Sequence, residues 1–345
     1  MQWVDARRKE PCPICGKADW CRVSTDGTWA ICRRLQRDGA IVRRDKNGSE
    51  FYLYRLGDQA PHRPAVSFPD VLTARLADVS TRDRIYRALL SELGLSAKHR
   101  GDLERRGLSG AQIRAGDYAS LSLQGRSKIA QRLVNMFGPH DCACVPGLYV
   151  ASEGTRRWWS LAGMPGLLIP VRDVDGRIMA LKIRADDPGG GPRYTTLSSR
   201  KYGGPGPGAL CHVPLHTGLA TDTVRLTEGE LKSDASTALS GALTISVPGV
   251  SNWRLAMPVL EALGAREVLV AFDADWREKL EVARALTNCA RHLLKSGYTA
   301  WFENWTPDQG KGIDDYLLRH GHGPTRYIGL AALRCARSAA ARKVG

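Results

Sequence analysis

The amino-acid sequence predicts an α/β chain (α+β overall) in three parts: an N-terminal cysteine hairpin module, a basic subdomain of mixed strands and helices, and a Rossmann-like parallel sheet. Three observations carry this reading. Four of the nine cysteines fall within the first 32 residues. From residue 223 onward, apolar strand-like runs alternate with helical patterns, the order that builds a parallel sheet covered by helices. The net charge of +15 is uneven: residues 1–60 carry +4, 61–220 carry +9, 221–318 carry −4 and 319–345 carry +6.

A length of 345 residues leaves room for roughly two to three domains. With 43% hydrophobic and 25% charged residues the chain can build cores, which excludes wholesale disorder. No apolar run approaches the ~20 residues of a membrane span. The opening MQWVDARRKEPCP lacks the apolar stretch of a signal peptide. The expected location is therefore cytoplasmic, with no membrane partner. A basic body around an acidic segment points to a polyanionic partner. An odd cysteine count without a secretion signal argues against a disulfide framework.

The first part is 1–57. Cys12-Pro-Ile-Cys15-Gly has the spacing of a zinc knuckle. Cys21 and Cys32 lack that spacing, but Asp26-Gly27 between them is a favoured two-residue hairpin turn. Folding about it sets Thr25 opposite Thr28, Val23 opposite Ala30 and Cys21 opposite Cys32. Directly opposed residues share a face, so all four thiolates can surround one structural Zn2+. Trp20, Arg22, Trp29 and Arg33 then fall on the other face. Aromatic and basic residues together suit single-stranded nucleic acid, and packing against a neighbouring domain is the alternative.

Residues 58–79, with three prolines between 58 and 72, read as a linker. The basic subdomain spans 80–220. RIYRALLSELG has helical periodicity, and GLSAKHRGDLERRGLSGAQI reads as short helices separated by Gly and Ser. LLIPVRDVDGRIMALKIRA reads as two strands around Asp175-Gly176. Within the second strand Lys182 and Arg184 alternate with Leu181 and Ile183, giving one basic face. The glycine-rich loops at 189–191 and 203–208 do not join a strand to a helix in the dinucleotide pattern, and the chain has no G-x-x-x-x-G-K-[ST] loop. Neither a dinucleotide cofactor nor an attached ATP-driven helicase is expected.

The third part, 221–322, places three acidic clusters near strand ends. Glu228-Gly229-Glu230 closes one strand, Asp273-Ala274-Asp275 follows the apolar run EVLVAF, and Asp314-Asp315 opens a helix after QGKGI. Ligands gather at the carboxyl ends of strands in such sheets. Asp273 and Asp275 point the same way if the strand runs through them. Carboxylates crowded at one edge repel, and divalent cations are their natural counter-charge. Residues 323–345 read as a basic C-terminal helix or tail.

TEGELKSD, then VLVAFDAD about 40 residues on, then KGIDDYL together resemble a Toprim domain over about 225–320. The preceding GLLIPVRDVDGRIMALKIRADDPGGGPRYTTLSS is similar to the segment before Toprim in DnaG-type and phage-type primases, and the cysteine module fits their zinc ribbon. The whole chain looks like a replication protein of a phage, plasmid or mobile element. The resemblance implies primer synthesis on single-stranded DNA from NTP or dNTP substrates, alongside a separate replicative helicase and polymerase. It implies Mg2+ or Mn2+ on Glu228, Asp273, Asp275, Asp314 and Asp315, with Glu228, Asp273, Asp275 and Lys232 catalytic. Lys182, Arg184, Arg193, Tyr194 and Lys201 would lie near nucleotide or primer phosphates. Where primases usually have an aspartate four residues after the glutamate, this chain has Lys232, with Asp234 two further on. A Toprim nuclease and a non-catalytic DNA-binding protein are the alternatives.

Overall fold

The structure, a computed structural model, describes residues 2–7, 10–18, 20–44, 50–56, 75–274 and 280–328. The proline-containing 58–72, Asp275 and the tail beyond 328 lie outside them. The chain divides into two units, Met1–Phe68 and Pro69–Gly345.

In the first unit five short strands, β1 (Trp3–Asp5), β2 (Arg22–Ser24), β3 (Trp29–Cys32), β4 (Ile41–Arg44) and β5 (Glu50–Arg55), form an antiparallel sheet of order β1-β2-β3-β5-β4. The register between β2 and β3 is the expected one, Val23 opposite Ala30 and Arg22 opposite Ile31. Its turn is wider than expected. The Gly27 N–H donates to the Ser24 carbonyl at 2.9 Å, and of Asp26 and Gly27 only Gly27 takes a positive φ, 71°. A two-residue type I′ turn needs both positive. Asp26 accounts for the difference, because its carboxylate accepts from the Ser24 hydroxyl at 2.5 Å, the Thr28 hydroxyl at 2.8 Å and the Thr28 N–H at 3.0 Å. These bonds, the one from Ser24 foremost, hold the Asp26 carboxyl down at about 2.

The second unit opens with three helices, α1 (Val79–Leu93), α2 (Ala97–Arg105) and α3 (Gly110–Ala115). Serines start the latter two: Ser96 accepts from the His99 N–H, and Ser109 forms a capping box with Gln112. Next come β6 (Ala119–Leu121), α4 (Arg126–Phe137), α5 (Pro139–Ala143) and the hairpin of β7 (Leu148–Glu153) with β8 (Arg156–Leu161). Strands β9 (Gly166–Arg172), β10 (Ile178–Ala185) and β11 (Tyr194–Thr196) complete an antiparallel sheet of order β11-β10-β9-β6. The expected hairpin joins β9 to β10 around Gly176, with Asp173 accepting from the Asp175 and Arg177 N–H groups.

The parallel sheet follows: β12 (Thr223–Glu228), α6 (Glu230–Ser240), β13 (Thr244–Val247), α7 (Met257–Ala262), β14 (Glu267–Val270), α8 (Leu280–Lys295), β15 (Thr299–Asn304), α9 (Ile313–His320) and β16 (Thr325–Ile328). The order is β13-β12-β14-β15-β16, with all neighbours parallel except β16, which runs antiparallel to β15. Residues 325–328, assigned above to a helix or tail, are thus an edge strand. Thr-Arg-Tyr-Ile is β-prone, and the exposed side of β15 offers it a pairing partner.

One buried ion pair crosses this sheet. Arg225 of β12 donates to both carboxylate oxygens of Glu303 on β15, at 2.7 and 3.1 Å, and its remaining nitrogen reaches the Ser240 and Thr244 hydroxyls. Both side chains are essentially sealed from water. Removing one partner strands the other charge. Glu303→Gln is expected to cost about 3–5 kcal/mol of unfolding free energy, read from the urea midpoint; an unshifted midpoint would contradict this. Among the described residues no helix is long and apolar enough to cross a membrane.

Candidate active site and metal centre

In the first unit the hairpin register and the knuckle bring four thiols together. The Gly16 N–H donates to the Cys12 carbonyl at 2.8 Å, and Gly16 takes φ 68°, which turns Cys15 back toward Cys12. The Sγ atoms of Cys12, Cys15, Cys21 and Cys32 lie within 4.8 Å of one another, with Cys15 to Cys21 at 3.7 Å and Cys21 to Cys32 at 4.0 Å. A tetrahedron with Zn–S bonds of about 2.3 Å has edges of about 3.8 Å. The set fits zinc. Burial pushes the Cys21 thiol up to about 12, so that thiol needs a nearby positive charge to ionise. By contrast Cys142, Cys211 and Cys289 are buried singly, and burial pushes each up to about 12, as suits inert core thiols.

On the sheet face away from the thiols, Arg22 pairs with Asp5 at 2.8 Å. Trp29 is half-buried, whereas Trp20 is 73% exposed with the Arg34 guanidinium 5.0 Å from its ring. Arg33 lies 5.7 Å from the ring of Phe51.

In the second unit the carboxyl edge of the parallel sheet faces β10 and β11 across a pocket of about 610 Å³. β12 ends on Glu228, whose Oε2 accepts the Val250 N–H at 3.2 Å. Gly229, at φ 86°, turns the chain into α6, which delivers Lys232. β14 stops at Val270, so Asp273 sits on a loop and the strand does not run on toward position 275. A hydrogen bond from the Ala274 N–H to the Lys311 carbonyl, 3.1 Å, ties that loop to the start of α9, which supplies Asp314 and Asp315. Glu228, Lys232, Asp273, Asp314 and Asp315 all line the pocket, and Lys182, Arg193 and Tyr194 line it from β10 and β11.

Two expected residues lie elsewhere. Arg184 is buried and held by Asp102 at 2.5 Å. Lys201 is exposed on a short 3₁₀ turn, Arg200–Tyr202, away from the pocket lining. Three charged lining residues carried no individually assigned role in the sequence: Arg106, Glu230 and Lys311. Arg106 comes from the end of α2 and pairs with Asp314 at 2.8 Å, a link between positions 208 residues apart that no local pattern signals. Glu230 pairs with Lys182 at 3.2 Å. Lys232 pairs with Asp273. Burial raises the Asp314 carboxyl above its usual range, although Lys232 and Arg106 act to lower it.

Asp234 does not take the place of the aspartate that Lys232 replaces. It accepts from the Tyr118 hydroxyl at 2.6 Å and from His212 Nε2 at 3.1 Å, beside a separate pocket of about 300 Å³. The Arg172 N–H donates to His212 Nδ1 at 3.0 Å, which leaves the ring proton on Nε2.

The fold that carries this pocket is similar to that of solved structures. The Aquifex aeolicus primase (zinc binding and RNA polymerase domains) is similar over 76% of this chain at 13% identity, with a TM-score of 0.52. The RNA polymerase domain of Mycobacterium tuberculosis primase DnaG is similar over 75% of this chain and 82% of that one, at 16% identity and a TM-score of 0.51. This chain has a primase fold. A second structure of the Mycobacterium domain, in complex with a double-stranded DNA oligomer with a 6-nucleotide overhang, matches at 16% identity over 76% of this chain and 81% of that one, with a TM-score of 0.50. The chain spans 62% of the length of the Aquifex protein. The family model that matches, over residues 220–323, is described as a domain of unknown function (DUF3854), and it covers the parallel-sheet part of the primase fold. No curated protein matches.

Proposed function

We propose that this protein is a DNA primase-like nucleotidyltransferase acting on single-stranded DNA, in which 221–322 serves as a Toprim domain and 80–220 as its basic companion. The observation that carries this reading is the convergence of Glu228 and Asp273 with Lys182, Arg193 and Tyr194 on one pocket. In the proposed reaction a primer 3′-oxygen attacks the α-phosphorus of an incoming nucleotide, and pyrophosphate leaves. Glu228 and Asp273, with Asp275, are the carboxylates that would hold Mg2+ or Mn2+, which when bound neutralises charge on the attacking and leaving oxygens. Lys182 and Arg193 would hold phosphates. Tyr194, 38% exposed, offers a ring for a base. The zinc module would engage template through Trp20, Trp29 and Arg33. A cytoplasmic role in replicating a phage, plasmid or other mobile element, with a separate helicase and polymerase, completes the proposal.

The test is incubation with single-stranded DNA, labelled nucleotides and magnesium. Primers are the expected product. Cleaved DNA would favour the nuclease reading, and a shifted band without product would favour a non-catalytic DNA-binding role.

A further inference from the structure

The described lining of the pocket carries no net negative charge. It has five basic side chains, Arg106, Lys182, Arg193, Lys232 and Lys311, against five acidic ones. Three of the carboxylates already have a protein cation: Asp273 has Lys232, Asp314 has Arg106 and Glu230 has Lys182. Among the described residues the four cysteines are the only set of three or more donors gathered within 4.8 Å.

Lys232 is the cation that holds Asp273, the carboxylate assigned to the metal. Its side chain and that of Asp273 are only 15% and 12% exposed. The loop bearing Gly312 packs on its shaft so closely that a Cβ there would meet Lys232 Cε at 2.8 Å and Asp314 Oδ1 at 2.8 Å. Gly312 thus lets the backbone pack against the Lys232 shaft, whose ammonium pairs with Asp273. A cation held this way competes with any ion sharing Asp273, since both need the same oxygens and like charges repel.

We propose that Lys232 is a built-in counter-cation that takes at Asp273 the place of a second divalent ion, so that the pocket binds one such ion tightly where an all-carboxylate site would bind two. This rests on the nucleotidyl-transfer reading of the pocket. It makes Lys232 a positioning residue that sets metal stoichiometry and holds Asp273.

The test is Mn2+ titration followed by electron paramagnetic resonance on the full-length, zinc-loaded protein, for the native chain and for Lys232→Met, Lys232→Arg and Asp273→Asn. The native chain and Lys232→Arg should bind one Mn2+ tightly. Lys232→Met should gain a second ion, or bind the first roughly tenfold more tightly. Two tight ions in the native chain, or a Lys232→Met curve superimposable on it, would overturn the proposal while leaving a metal site in place. No Mn2+ bound by either form, or binding untouched by Asp273→Asn, would overturn the metal reading of the pocket along with it. If Lys232→Met does not fold, the native stoichiometry alone decides.

Discussion

Asp273→Ala is expected to abolish primer synthesis, with a fall of roughly 10³-fold or more in labelled primer formed per unit time. Affinity for single-stranded DNA should stay within about twofold of the native value. Rate and affinity are expected to separate because Asp273 pairs with Lys232, whereas the cations proposed to hold phosphates are Lys182 of β10 and Arg193 beside β11. Asp273→Asn, which keeps the shape, should lose as much activity, since the amide supplies no charge to hold a metal. Undiminished synthesis by either variant would remove Asp273 from the site.

Removing zinc should have the larger structural effect. The described core of the first unit is Ala6, Cys12, Cys21, Ala30, Cys32 and Tyr54, and half of it is cysteine from the four-thiol set that fits zinc. A core that small cannot offset chain entropy unaided. Structural zinc contributes on the order of 10–16 kcal/mol of apparent binding free energy in isolated fingers. The native protein should therefore release one zinc per chain on chelation and become open to protease within residues 2–56, while the unit beyond residue 69 stays protected. Cys12→Ser should behave as the chelated form. A chelated chain that keeps its protease resistance would show that the sheet stands without metal.

Some of this architecture was legible in the sequence. Alternating strand and helix patterns after residue 223 gave the parallel sheet, because each element there is bounded by glycine or a polar turn. The hairpin register was legible because Asp26-Gly27 leaves one sensible way to pair Cys21 with Cys32, even though the turn itself is wider. That Glu228, Asp273, Asp314 and Asp315 share one sheet edge was legible because ligands collect at strand ends, whereas Lys232 entered only through the resemblance. The stretch 117–144, with β6, α4 and α5, carried no assignment; α4 begins after Gly125 with no side-chain cap to announce it. Arg184 misled because alternation in a strand reveals a shared face but not what covers it, and here Asp102 does. Arg106 and the charge balance of the pocket were hidden for a related reason. Local charge counts mark 221–318 as acidic, while the compensating cations arrive partly from α2 and β10 through tertiary packing.

The pairing of β2 with β3 bears on how this chain tolerates changes in length. Cys21 and Cys32 meet because each stands at an inward position of a two-residue alternation, with Val23 opposite Ala30 between them and the turn. The turn at 25–28 can absorb an inserted residue, since it only closes the hairpin. An insertion within Arg22–Ser24 or Trp29–Ile31 would instead rotate one thiol to the solvent side of the sheet. Insertions and deletions among functional relatives of this module should therefore concentrate at the hairpin tip, with the number of residues from each cysteine to the tip left unaltered.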